Sequence, residues 1–415
     1  MAASPSFLAR WLRVAMLSFG GPAGQIAVMH RIVVEEARAV SEARYLRALS
    51  FCMLLPGPEA QQLATYLGFL ERGVVGALVA GGLFVLPAAA LLLGFAAAYD
   101  AFGDLVAVRA AFVGVQAVVM ALVVEALHRV ATRSLRAKQD GAIAVLAFVA
   151  IVLGAPFPAV VAVAAAAGAA RAQGGDAEVS GVDDEETAAL ARSGRKAALA
   201  LASLALLSAC VPWLLLGPTH VLSQLALLTL TLATCSFGGA YAVLGWVSEV
   251  AVSHGWLTAP EMIDAVAIAE TAPGPLVLVV PFVAYLAAAR AGSVGALAFA
   301  LTTLWLFAPS FAFVLGLAGE IERLGARPRF AGALSAIRAA VVGAVAWLAV
   351  WFCVVAAGVS NGDLTELRPG VVLLAGLAGL AMHRRPGLWP LPVAACIGLA
   401  SWNLGLPLDA TPWTP

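Results

Sequence analysis

Residues 52–66 read CMLLPGPEAQQLATY, a proline–glycine–proline break set in an apolar run and followed by an unusually polar helix start. Proline has no N–H to give to a helix interior and is tolerated in a first turn, so Pro56 or Pro58 ends one helix and starts another. A helix that starts inside an apolar medium exposes unpaired N–H groups and the positive end of its dipole. Glu59, Gln61, Gln62 and Thr65 follow the break. Polar groups at membrane depth are costly, so they mark either a pathway or contacts within a bundle.

The break occurs twice. Pro273-Gly274-Pro275 repeats Pro56-Gly57-Pro58 at an offset of 217 (273 − 56), with Glu270 and Thr271 just ahead of it. Ser18-Phe19-Gly20-Gly21 returns as Ser236-Phe237-Gly238-Gly239 at 218, and Gly73-Val74-Val75-Gly76-Ala77-Leu78 as Gly292-Ser293-Val294-Gly295-Ala296-Leu297 at 219. A helix-start signal precedes each break: Ser41 in one copy, and in the other Thr258-Ala259-Pro260-Glu261, a capping box with proline in the first turn. Three motifs in one order at nearly constant offset define a duplicated unit. Residues 1–170 are the first repeat, 171–196 a polar linker, 197–216 a connecting transmembrane helix and 217–415 the second repeat.

Lipid is the solvent that fits this composition. The chain is 62% hydrophobic and 12% charged, with mean hydropathy +0.96, whereas a soluble domain carries roughly 25% charged residues. Apolar runs at 14–29, 48–70, 73–99, 105–127, 141–153, 157–170, 197–216, 222–250, 263–290, 292–318, 333–357, 370–382 and 389–404 predict an all-α, polytopic helix bundle. About thirteen segments are expected, some broken or re-entrant. Arg10 and Arg13 ahead of Val14–Leu17 resemble a signal peptide. The repeated Ser18–Gly21 motif lies within that stretch, so it reads as retained.

An odd number of segments separates the two copies, which inverts the second. Arginine and lysine favour the cytoplasm, and their bias swaps between equivalent loops. The loop after 105–127 carries Arg129, Arg133, Arg136 and Lys138; in the second copy Arg323, Arg327 and Arg329 crowd the loop one step earlier, and 358–368 holds Asp363, Glu366 and Arg368. This places the N-terminus and the linker in the cytoplasm and the C-terminus outside. The loop 30–47, with Arg31, Arg38, Arg44 and Arg47, fits poorly unless its glutamates offset them or the flanking segments are re-entrant. Inverted repeats with matching helix breaks are the plan of secondary transporters, whose substrate sits between the repeats near mid-membrane.

The expected binding site is therefore built from both copies. Pro56, Gly57, Pro58, Glu59, Gln61 and Gln62 come from the first break, and Thr271, Pro273, Gly274 and Pro275 from the second. Ser18, Gly20, Gly21 and Gln25 of one glycine motif, and Ser236, Gly238 and Gly239 of the other, permit close helix approach or direct contact with an anion. Arg31, Glu35, Arg38 and Glu42 fall on one face of a helix with alternating charge; that is a solvated surface or an ion-pair gate, with Arg31 drawing in an oxyanion through its planar fork. Net charge is zero, which gives no pull toward nucleic acid. The five cysteines and five histidines are scattered, with no metal or disulfide pattern, and no phosphate-binding loop or nucleophile elbow is present. No cofactor and no ATP hydrolysis are expected, and the constellation an integral membrane enzyme would need is not visible. Oligomerisation is left open.

Leu17–Ile26, Ser41–Leu46 and Cys52–Tyr66, with Ser236–Gly239, Gly255–Thr258 and Ala269–Pro275 in the second copy, resemble the long, two-domain form of the chromate transporter family. The resemblance covers nearly the whole chain. It implies export of chromate across the bacterial inner membrane and hence chromate resistance, with sulfate as the close structural analogue. A sulfate or other oxyanion carrier or channel is the alternative. No coupling ion is required by the energetics, because an inside-negative potential already favours the exit of a dianion; Glu59 is a candidate proton carrier.

Overall fold

The computed structural model describes residues 6–19, 21–172, 185–237, 240–318, 327–358, 368–384 and 390–403. Every element among them is helical. The first half runs α1 (Phe7–Leu17), α2 (Gly21–Met29) continuing into a π-helical turn (His30–Glu36), α3 (Glu42–Cys52), α4 (Glu59–Phe102), α5 (Val106–Ser134), α6 (Lys138–Val152) and α7 (Phe157–Arg171). After α8 (Glu185–Leu216) come α9 (Val221–Cys235), α10 (Ala240–Ser253), α11 (Ala259–Thr271) and a 3-10 turn (Leu276–Leu278) leading into α12 (Val279–Arg290). The chain closes with α13 (Gly295–Leu317), α14 (Pro328–Ala356), α15 (Pro369–Arg384) and α16 (Pro390–Asn403).

The two halves show the same order of elements. Helix α4 is two helices, because Arg72 (φ −143°) and Gly73 (φ 62°) leave helical geometry between its 59–71 and 74–102 arms. A Cβ on Gly68 would collide with Gly76, and one on Gly81 with Thr65, so the arms fold back as an antiparallel hairpin sealed by small residues. Helices α12 and α13 form the matching hairpin around Gly292 (φ 73°), with Gly295 packed on Tyr285. Both turn glycines thus have a positive φ that a side chain would disfavour. Helices α5 and α14, both 29 residues long, correspond in turn, followed in each half by two shorter apolar helices.

The halves are interlocked. Helix α5 packs on α15 and α16 of the other half, while α14 packs on α6 and α7. Gly114 fits against the Ala394 carbonyl, Gly168 faces Gly332, and Gly343 sits over Ala144 and Phe148. In a bundle without a hydrophobic force between helices, such close backbone approach supplies the packing energy. By length and composition Glu59–Phe102, Val106–Ser134, Arg192–Leu216, Gly295–Leu317 and Pro328–Ala356 can cross a membrane. The best window of Pro328–Ala356 is 61% buried inside the protein and that of Arg192–Leu216 only 17%. Helix α14 is therefore central and α8 peripheral, its Leu199, Leu207, Leu214 and Leu215 facing outward as lipid requires.

Several local expectations change. The run 14–29 is divided at Ser18–Phe19 into α1 and α2, and 48–70 is divided by residues 53–58. The helix expected across Arg31–Glu42 is broken, because Arg38 adopts φ 49° after the π turn. His30 instead pairs with Glu35 (3.1 Å) and Glu42 (2.7 Å), and Arg13 with Glu36 (2.5 Å). The Thr258–Glu261 capping box forms, whereas Ser41 precedes α3 without a side-chain cap. Helix α8 begins at Glu185, inside the stretch read as linker; Asp183 and Asp184 lie outside the described residues.

Candidate anion site

Four helix starts meet at one small cavity. Pro22 and Gln25 come from the first turns of α2, Glu59 and Ala60 from the first turn of α4, and Ala240 opens α10. Pro275, Leu276 and Val277 bring the start of the 3-10 turn that leads into α12, and Gly57, Pro58 and Ser236 complete the wall. The void measures about 20 Å³, roughly the room of one water, so a tetrahedral oxyanion has to widen it as it binds.

The electrostatics of the cavity follow from the backbone. The N–H groups of Glu59, Ala60, Leu276 and Val277 find no acceptor among the described residues, although buried N–H groups are rarely left unpaired. Ala60, Leu276 and Val277 are buried. Each helix start adds the equivalent of about half a positive charge, so the backbone alone forms a concavity suited to an anion. One acid intrudes: Glu59 has no ion pair within 4 Å among the described residues, and the charges of Arg133 on α5 and Arg338 on α14 act on it from longer range.

The breaks are held by backbone bonds between halves. Gly57 (φ 122°) donates its N–H to the Ser236 carbonyl at 2.7 Å, and Gly274 (φ 112°) donates to the Ser18 carbonyl at 2.8 Å. Gln25 donates to the Gly274 carbonyl at 2.6 Å and Gln62 to the Pro56 carbonyl at 2.6 Å.

Of the residues expected at the site, Gln25, Gly57, Pro58, Glu59, Ser236 and Pro275 line the cavity. Ser18, Pro56, Gln62 and Gly274 hold its frame, and Gly21 begins α2 with φ 73°. Pro273 is buried beside the frame. Gln61 is turned into a helix contact, donating to Thr65 (2.8 Å) and accepting from Ser310 (2.7 Å). Thr271 lines a different, apolar cavity and donates to its own helix at the Ile268 carbonyl. Arg31 is half-exposed, 3.7 Å from Glu36, away from the cavity wall. Gly20, Gly238 and Gly239 lie outside the described residues. Sequence reasoning missed Arg338, although it is the single charge in the apolar run 333–357, which is signal enough. It also missed Asp264 and Gln116, isolated polar residues in the same kind of run.

The comparisons with known proteins agree with this architecture. The sequence matches the Chromate transporter family over residues 6–169 and again over 223–402. The chain belongs to the chromate transporter family. A chromate transport protein of Pseudomonas aeruginosa is 31% identical, covering 96% of this chain and 92% of its own length. One from Cupriavidus metallidurans is 29% identical over 81% of this chain and 79% of its own length. No solved structure matches. The transporter is thus a multi-pass membrane protein with an all-α bundle, and transport across a membrane, not catalysis, is the activity its relatives are named for.

Proposed function

We propose that this transporter exports chromate across the bacterial inner membrane as a secondary carrier and thereby confers chromate resistance, with sulfate competing as an anion of the same shape and charge. The observation that carries the reading is the convergence of four helix starts from both halves on one cavity. Backbone N–H groups suit an oxyanion because they reach several of its oxygens without placing a permanent countercharge that would trap it. In this reading the second half is inverted relative to the first, the N-terminus is cytoplasmic and the C-terminus outside. Gln25 and Ser236 border the anion, and the Gly57 and Gly274 frames shift against each other to open the site to alternate sides.

Energetics favour export. An inside-negative potential supplies about 2.3 kcal/mol per charge per 100 mV, and twice that for a dianion leaving the cell. Everted vesicles containing the protein should accumulate labelled chromate when the lumen is made positive, and unlabelled sulfate should slow that accumulation. Vesicles that accumulate no more chromate than protein-free ones would refute the assignment.

A further inference from the structure

Away from the anion cavity, Asp264 on α11 is 7% exposed. Its Oδ2 accepts from the Tyr99 hydroxyl of the 74–102 arm at 2.9 Å, and its Oδ1 accepts from Gln116 Nε2 of α5 at 2.8 Å. No cation lies within 4 Å of it among the described residues. We propose that Asp264, held between Tyr99 and Gln116, is a proton-binding site whose occupancy alternates during the transport cycle.

The geometry accepts both protonation states. A hydroxyl can donate or accept, while an amide NH₂ only donates. With Asp264 ionised, Tyr99 and Gln116 each donate to one carboxylate oxygen. With Asp264 protonated, Oδ2–H donates to the Tyr99 oxygen, the Tyr99 proton turns away, and Gln116 still donates to Oδ1. One proton is gained by the carboxyl, the Tyr99–Asp264 hydrogen bond reverses direction, and the Gln116 bond is kept. A purely structural carboxylate in the bundle would instead be expected beside a cation, because an uncompensated buried charge is costly.

The charged groups on the neighbouring elements are otherwise engaged or distant. Arg290 of α12 binds Glu261 (2.5 Å) and the Trp256 carbonyl (3.0 Å). Arg109 of α5 pairs with Asp104 (2.5 Å), and Arg338 of α14 acts on Glu59. Asp100 acts on Arg290, Glu125 pairs with Arg129 of its own helix (2.7 Å), Glu249 of α10 has no ion pair among the described residues, and Glu270 of α11 is bound by Tyr241 of α10, which leaves Glu261 as the charge acting on Asp264.

A cavity adjoins the Tyr99–Asp264 pair. Ala267, Ile268 and Thr271 lie three, four and seven residues after Asp264, so all four share one face of α11. The last three line an apolar cavity of about 470 Å³, and Tyr99 forms part of its wall. The Tyr99 ring, edge-on to Phe112 and Phe282 at 5.5 and 5.9 Å, therefore stands as a shutter between that cavity and the carboxylate. The arrangement is one-sided: the position matching Asp264 in the other half is Arg47 (264 − 217), and with α5 and α14 aligned from their starts at Val106 and Pro328, an offset of 222, Gln116 matches Arg338.

Proton binding can be tested without reference to the substrate, and its consequence rests on the anion-transport reading. Infrared titration of the purified full chain in bilayers should show a protonated-carboxyl band that is absent from Asp264→Asn. Tyr99→Phe removes a donor to the ionised form, so it should move the midpoint upward by about one to two pH units. In vesicles clamped at zero potential, an imposed pH gradient should change wild-type chromate flux at least several-fold. Asp264→Asn should lose that response while still exchanging labelled for unlabelled chromate. Identical spectra for wild type and Asp264→Asn, an unmoved midpoint in Tyr99→Phe, or an intact gradient response in Asp264→Asn would each overturn the proposal. A wild type that moves no chromate would overturn the substrate assignment and leave the infrared result to decide the proton site.

Discussion

The N–H of Gly57 donates to the carbonyl of Ser236 at 2.7 Å, a bond that joins the helix break of one half to the glycine motif of the other. Gly274 and Ser18 repeat it in the reverse sense at 2.8 Å. Each break is therefore anchored outside its own half, and any motion between the halves must act on the cavity that the breaks enclose.

Gly57→Ala and Gly274→Ala should both cut chromate flux at least tenfold while leaving the protein in the membrane. Their φ values of 122° and 112° disfavour any side chain, at a cost of about 1–3 kcal/mol. A Cβ at Gly57 would lie 2.7 Å from Gln62 Nε2, and one at Gly274 2.5 Å from Ala88 Cβ. Gln62 can swing aside and Ala88 cannot, so Gly274→Ala should be the less stable in detergent melting. Normal flux in both variants would reduce the breaks to simple kinks.

Glu59→Gln should tighten oxyanion binding by tenfold or more at neutral pH. The acid shares a cavity with the N–H groups meant for the anion, and a carboxylate and a dianion about 5 Å apart repel by about 7 kcal/mol at an effective dielectric of 20. Equilibrium binding of labelled sulfate to the purified protein checks this; weaker binding would make Glu59 a ligand in its own right.

Arg338→Ala should lower the apparent affinity for chromate more than Arg31→Ala. Arg338 acts electrostatically on the cavity wall, whereas Arg31 is half-exposed and near Glu36. Initial-rate kinetics across a range of chromate concentrations separate the two, and the reverse order would restore Arg31 as the entry cation.

Cysteines introduced at Arg136 and Arg327 should be shielded from an impermeant thiol reagent applied outside the cell, while cysteines at Asp363 and Pro415 react. Labelling of all four from one side would rule out inversion of the second half.

Much of this was legible because prolines and glycines act on their own backbone. Pro56–Pro58, Pro273–Pro275, Gly73 and Gly292 mark breaks wherever they occur, and their even offset is visible without any knowledge of packing. The long apolar runs likewise determine an all-α membrane bundle, since lipid leaves the backbone few other ways to satisfy its hydrogen bonds. Which breaks meet is a different kind of fact. Gln61 and Gln62 are adjacent in sequence, yet one turns to Ser310 and the other to the Pro56 carbonyl, because successive helical residues point about 100° apart and only a neighbouring helix decides which direction is useful. Thr271 looked like a site residue from its place before the second break, but its helix face looks into the apolar cavity. The meeting of Asp264 with Tyr99 and Gln116, across sequence separations of 165 and 148 residues, is decided by tertiary packing alone, since no local pattern records which helix stands beside which.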